Sequence, residues 1–529
     1  MSSILTKFNF LAAAAILAGL TVPASAQISC IVQSATDLLA RTEGTTEPLG
    51  DVVLACTGGN PTAAGDLVPQ VNFSVFLNTN LTSKITYPSP SGTTPNFSEA
   101  LLLVDEPNQP VPPSGAVLSH PLLNCGQSGA PDNSPAGPGV CEIISTGIPT
   151  QTYDGTPGAG PTTICVPQAS GAITNVFGCG RPNAFQGQMS ASNSGEVDFI
   201  GVPFDPPGVG ATRFFRITNL RSDAAGLGSS TQITCTIAIT GNTAVTFPGN
   251  TGSVVATIGF ASKGLVVTTP KIQTVRVTEG FALAFKDRNV AVSLANSAYS
   301  AGAYSYVSPD QNYPAQAAQN VPGVLYNTED LFQWQNNGVN QPPSPDPPAG
   351  YSSGVSTATN YPLLSVGYGG VNTGITADGV SNAGTRIALT FKTLAPSVTV
   401  PSVVYLHPGG SPSTTSGVMV LTKTDAAGAG PFTTGASTTL HNGETAVYEV
   451  LYANPYEIEF GDIDISVNSF IFGAQVTVNF APFYTVPGAA LATPTAANPT
   501  PTAVPRFSTA GHSTVVVAST IIGIWLPFF

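Results

Sequence analysis

The chain has 529 residues and a formal net charge of −13, yet only 9% of its residues are charged, against about 25% in an ordinary globular protein. It contains no run of Lys and Arg. This excludes the clustered cations that nucleic-acid binding needs to neutralise phosphates, and it disfavours adhesion to an anionic membrane for the same reason. At roughly 100–200 residues per domain the length predicts two to four domains, kept soluble by Ser, Thr, Asn and Gln rather than by ion pairs.

The first 26 residues read as a secretory signal. Lys7 supplies a positive n-region, residues 8–20 an apolar run, and Ala24, Ser25 and Ala26 a small-x-small cleavage site. The apolar run is short for a membrane span. The expected location is therefore secreted or at the cell envelope, where disulfides persist.

A first domain is predicted over 27–268, with an irregular insertion at about 105–190. Its strongest patterns have period two: 71–77 (VNFSVFL) and 233–240 (ITCTIAIT) alternate apolar and polar residues, the signature of a strand with one buried face. All seven cysteines lie between Cys30 and Cys235. Cys30, Cys56 and Cys235 each share a face with apolar neighbours, whereas Cys125, Cys141, Cys165 and Cys179 fall in the insertion, which lacks apolar periodicity and needs covalent staples. The preferred pairing is Cys30–Cys56, Cys125–Cys141 and Cys165–Cys179, leaving Cys235 as a buried thiol. A bridge from Cys235 to Cys30 or Cys56 is the alternative, since spacing alone does not fix connectivity.

A second, cysteine-free domain is predicted over 269–486. It includes the alternating segments 387–392 and 476–480 and a long irregular stretch at about 296–380. Eight of the 15 tyrosines fall between Tyr299 and Tyr368. Tyrosine offers apolar area with a polar tip, so Tyr304, Tyr306, Tyr313 and Trp334 are the candidate ligand-binding residues, for a glycan or protein surface. The match Gly350-Tyr351-Ser352-Ser353-Gly354 to a nucleophile elbow follows a proline-rich run that cannot form the required strand, and it is read as chance. The densest carboxylate cluster is Glu457, Glu459, Asp462 and Asp464. A bend at Gly461 would put all four on one side, where they could hold Ca²⁺; the competing reading is a solvated face that blocks edge pairing. No other cofactor is expected.

A Pro/Thr/Ala linker follows at 487–505, and then an apolar tail at 506–529, whose β-branched residues favour a strand over a membrane or sorting tail. Short strands with Gly/Pro/Asn turns and no long amphipathic helix predict an all-β protein of two tandem antiparallel β-sandwich, Ig-like domains with long irregular insertions.

The segments 51–59 (DVVLACTGG), 68–80 (VPQVNFSVFLNTN), 216–221 (RITNLR) and 322–327 (PGVLYN) resemble a group of uncharacterised exported β-rich bacterial proteins from environmental genomes. The resemblance implies a β-rich extracellular protein and carries over no catalytic residue. The expected function is a non-enzymatic structural or adhesive interaction protein. The alternatives are an extracellular hydrolase of polysaccharides or esters on a β scaffold, and a self-assembling surface subunit that uses its C-terminal strand.

Overall fold

The computed structural model describes residues 27–35, 38–83, 85–87, 96–105, 125, 140–155, 181–249, 251–286, 291–292, 306–307, 385–393, 397–409, 411–421, 435–454, 456–467, 474–481 and 513–517. The protein is all-β. Among the described residues the only helical element is a single 3₁₀ turn, Pro149–Gln151.

Fourteen strands build the first half: β1 (Ile28–Ala35), β2 (Leu38–Arg41), β3 (Glu47–Pro48), β4 (Val52–Gly58), β5 (Gln70–Leu77), β6 (Ile85–Tyr87), β7 (Asn96–Val104), β8 (Ala184–Met189), β9 (Glu196–Pro203), β10 (Gly208–Thr218), β11 (Arg221–Ser222), β12 (Gln232–Gly241), β13 (Val245–Thr246) and β14 (Ser253–Ser262). Twelve of them form one sheet in the order β13-β1-β4-β10-β7-β8-β9-β5-β12-β14-β2, with β6 beside β7. Its two ends meet. β1 lies next to one end and β2 is the other end, yet only residues 36 and 37 separate them, and β1 also touches β14. The sheet is thus curled around a single core, which holds Phe73, Phe199, Phe204 and Phe215 at no measurable exposure. Alternation drives this closure. On β5 the apolar Val71, Phe73 and Val75 are buried while the intervening positions are half-exposed, and β12 repeats the pattern. Within the core, Phe215 packs on Phe73 and Phe204 with ring centroids 4.9 and 4.8 Å apart, distances typical of favourable aromatic pairs.

The second half comprises β15 (Leu265–Thr268), β16 (Thr274–Glu279), β17 (Ala291–Val292), β18 (Tyr306–Val307), β19 (Arg386–Thr393), β20 (Val398–Pro401), β21 (Val403–Pro408), β22 (Gly417–Leu421), β23 (Ser437–Leu440), β24 (Thr445–Tyr452), β25 (Glu459–Asp464), β26 (Ser466–Val467), β27 (Ala474–Ala481) and β28 (Ser513–Val517). Nine form a sheet in the order β15-β16-β25-β21-β22-β24-β19-β27-β28, and β23-β20-β26 form a smaller one. This sheet also curls, because β28 at one end touches β15 and β16 at the other. A separate core, including Val277, Leu389, Phe391, Leu406 and Tyr448, lies inside it.

Each half is therefore organised around one long curled sheet, where the sequence predicts a pair of sheets. The change of sheet falls at Lys263 and Gly264, so residues 265–268, assigned above to the first domain, open the second sheet as β15. The strand β28 comes from the apolar tail and pairs antiparallel with β27, Val515 opposite Val476. Strand β8 begins inside the stretch read as an irregular insertion.

Cys30 is bonded to Cys56, its cross-strand partner on β4, and Cys125 to Cys141. Cys235 is free and buried. Cys165 and Cys179 lie outside the described residues. Within the insertion, the described segment 140–155 is tied down by buried polar groups. Arg213 is paired with Asp105, donates to the Asp205 and Pro149 carbonyls at 3.1 and 3.0 Å, and lies 4.5 Å above the Tyr153 ring. The Tyr153 hydroxyl donates to the Pro203 carbonyl at 2.5 Å and accepts from the Asp205 amide at 2.8 Å, and burial raises its pKa.

Candidate interaction face

Tyr304, Tyr313 and Trp334 lie outside the described residues, and Tyr306 is described only as backbone of β18, paired with Val292. The acidic residues are described. Strand β25 runs beside β16 in unbroken register from Asp464 opposite Thr274 to Phe460 opposite Thr278. No bulge interrupts it at Gly461, so the strand keeps its period of two and divides the four carboxylates. Glu459 turns inward with Gly461 and Ile463 and is fully buried, whereas Asp462 and Asp464 turn outward. Glu457 stands exposed before the strand, its carboxylate accepting from the Asn454 side-chain amide at 3.1 Å. The structure does not bring the four together, and among the described residues no group of three or more His, Cys, Asp or Glu is placed to hold a metal ion.

The same outward face of β16, β25 and β21 gathers residues that the sequence reading passed over. Arg276 lies opposite Asp462 and grips its carboxylate with two hydrogen bonds, of 2.7 and 2.8 Å. This fork-on-carboxylate geometry is the well-oriented form of an ion pair. The same guanidinium lies 4.0 Å from the centre of the Phe460 ring, within cation–π range. On the other side of Phe460 stands His407, its cross-strand partner on β21, with ring centroids 5.6 Å apart. The His407 ring is oriented by its Nδ1, which donates at 2.7 Å to the Thr414 carbonyl oxygen.

Two residues before His407 and on the same face, Tyr405 is 41% exposed. At the β25 entrance, Tyr456 is 86% and Ile458 45% exposed. At the opposite end Thr274 donates to Asp464 at 2.6 Å. A hollow of about 160 Å³ lies there, lined by Lys271, Ile272, Gln273 and Asp464 among others. That volume is small beside the 300–1,000 Å³ of ligand pockets. Six residues of β25 give the outward face a length of roughly 20 Å at 3.3 Å per residue. Chemically it is a surface of exposed tyrosine and imidazole with Arg276 and Asp462 paired at its centre.

The sequence carried a signal for this face. In 403–408 (VVYLHP) the apolar Val404 and Leu406 fix the inward phase, which leaves Tyr405 and His407 outside; in 274–279 (TVRVTE) Val275 and Val277 do the same for Arg276.

Beneath the face is a buried carboxyl pair. Glu279, at the end of β16, accepts from the amides of Phe285 at 2.6 Å and Glu459 at 2.9 Å. Glu459 in turn accepts from the Asn454 amide at 2.9 Å. Burial is the main cause that pushes Glu279 up to about 8 and Glu459 up to about 7, against the amide hydrogen bonds that favour their anions.

No protein-family model and no curated protein matches the chain. Among solved structures it is similar to the C-terminal domain of the Streptococcus agalactiae AgI/II polypeptide BspA, at 8% identity and a TM-score of 0.20 over 86% of this chain and 95% of that one. A second structure, titled BspA_C_mut, gives 8% identity and a TM-score of 0.19 over 92% and 97%. Scores this low do not establish a shared fold.

Proposed function

We propose that the chain is an exported, non-catalytic adhesive or structural protein of the cell envelope or extracellular space, which meets its partner through the outward face of β16, β25 and β21. Each curled sheet, folded back on itself, is read as one sandwich of a tandem Ig-like pair. The observation that carries the reading is the exposed aromatic and apolar area of Tyr405 on β21 and of Tyr456 and Ile458 just before β25, beside His407, which packs on the buried Phe460 and is oriented by its hydrogen bond to Thr414. The disulfides are consistent with an extracellular setting.

The partner best suited to this face is a neutral glycan. Arg276 and Asp462 cancel at its centre, and a chain of net charge −13 repels anionic polymers. Tyrosine rings match the apolar faces of sugar rings, and their hydroxyls can bond to sugar hydroxyls.

The test is retention of the full chain on a neutral glycan array and on immobilised polysaccharide, compared with the double variant Tyr405→Ala/Tyr456→Ala. Both side chains are exposed, so the variant should fold and melt as the parent does. Retention of the parent and its loss in the variant is the expected result. Absence of retention by the parent, or equal retention by both proteins, overturns the proposal.

A further inference from the structure

Between the end of β14 at Ser262 and the start of β15 at Leu265 there are only two residues, Lys263 and Gly264. Around them sits a cluster of charged side chains with almost no exposure. Arg41 ends β2, alongside Ser262 on β14, and is fully buried. Its Nε and Nη2 donate to the two carboxylate oxygens of Glu47 at 2.8 and 2.7 Å. Its Nη1 reaches across to the second half, donating to the Ala284 carbonyl at 2.9 Å and to the Thr385 hydroxyl oxygen at 3.2 Å.

Glu43, also from the first half, accepts from the Gly264 and Leu265 amides at 2.9 and 3.3 Å. The Thr385 hydroxyl additionally accepts from the Lys286 amide at 2.9 Å, and the Gly280 amide donates to the Gly264 carbonyl at 2.8 Å. The fit is tight enough to require glycine twice. A Cβ on Gly264 would stand 2.6 Å from Arg41 Cγ, and one on Gly280 would stand 1.8 Å from the Lys263 carbonyl oxygen.

A flexible tether between independent domains would be exposed, polar and free of such bonds. Here one guanidinium, with no measurable exposure, is shared by the carboxylate of one half and the backbone of the other. Opening the joint would break the Arg41 bonds to Ala284 and Thr385 and the bonds that Glu43 accepts from Gly264 and Leu265.

We infer that this joint welds the two halves into one cooperative unit, so that they neither hinge nor unfold separately and the chain behaves as a rigid two-module spacer. The inference does not depend on the adhesive reading, because its readout is mechanical and thermal rather than a bound ligand.

The experiment compares the full chain with Thr385→Val, which removes the second half's side-chain acceptor and leaves the Arg41–Glu47 pair intact, and with Arg41→Met, which removes the whole staple. Arg276→Met, at an ion pair on the outward face of β16 and β25 that makes no bond to the joint residues, is the control. The parent and the control should show one calorimetric transition, with calorimetric and van't Hoff enthalpies equal. They should also resist protease cleavage between 262 and 286. Thr385→Val should broaden or split the transition and raise the rate of cleavage at the joint about tenfold or more, and Arg41→Met should separate two transitions fully. If Arg41→Met does not fold, Thr385→Val and Glu43→Gln, which weakens the hold on Gly264, decide the matter. Two independent transitions in the parent, or a Thr385→Val variant with the parent's single transition and protease resistance, overturn the inference.

Discussion

Cys235 sits on β12 with Leu77 of β5 on one side and Ala256 of β14 on the other, at no measurable exposure. Burial pushes its thiol up to about 12, so at neutral pH it is neither a nucleophile nor a partner for exchange with the bridges. Peptide mapping of the native protein after labelling with a thiol reagent should therefore find Cys235 unmodified, and denaturant should open it to fast reaction; fast labelling of Cys235 without denaturant would contradict the placement. The inward face of 233–240 was legible because the alternation there is clean. Arg41 and Glu47 were not legible. They lie in 41–50 (RTEGTTEPLG), whose composition reads as a solvated turn. What buries them is a contact with residues more than two hundred positions away, which no local pattern encodes. Glu459 has the same lesson at shorter range: its strand phase was readable, but the face that would be covered was not.

At the level of elements, β16 and β25 place Glu279 and Glu459 together behind the outward row. Both carboxyls have folded-state pKa values raised above the ordinary value of about 4.3, to about 8 and about 7. The folded protein thus holds more protons than the unfolded chain between those limits. Their contribution to stability is full below about pH 4.3 and is lost as pH rises through 7 and 8. The melting temperature should fall as pH is raised from about 5 to about 9, and Glu279→Gln, which cannot ionise, should flatten that slope. A slope unchanged in Glu279→Gln would show that other groups govern it. The strands themselves were largely readable: 71–77, 233–240, 387–392 and 476–480 all fall within strands. Their joining into long curled sheets was not, because pairing order is set by which edges meet in space.

For the whole molecule, few charges are present and two of the best-formed pairs, Arg41–Glu47 and Arg386–Glu449, have side-chain exposures of 1% or less. Salt screens exposed charges and barely reaches buried ones. Stability should therefore be nearly indifferent to ionic strength, with a melting shift under about 3 °C between about 0.05 and about 0.5 M NaCl. A large salt-induced drop would place the important ion pairs on the surface. Glycan retention through the aromatic face should survive the same range, whereas a charge-driven contact would be eluted.

The meeting of β2 with β14 also sets the order in which the molecule can be completed. Leu38 pairs with Gly259, and the Arg41 guanidinium reaches Ala284, 243 residues further along. Closing so long a loop is slow, because its entropy is lost before any contact compensates. The seam of the first module can close only once residues 259–262 are available, and the weld, which shares Arg41, only once Ala284 and Thr385 are. A chain whose earliest strands wait for such distant partners stays threadable for longer, which fits the export that we propose.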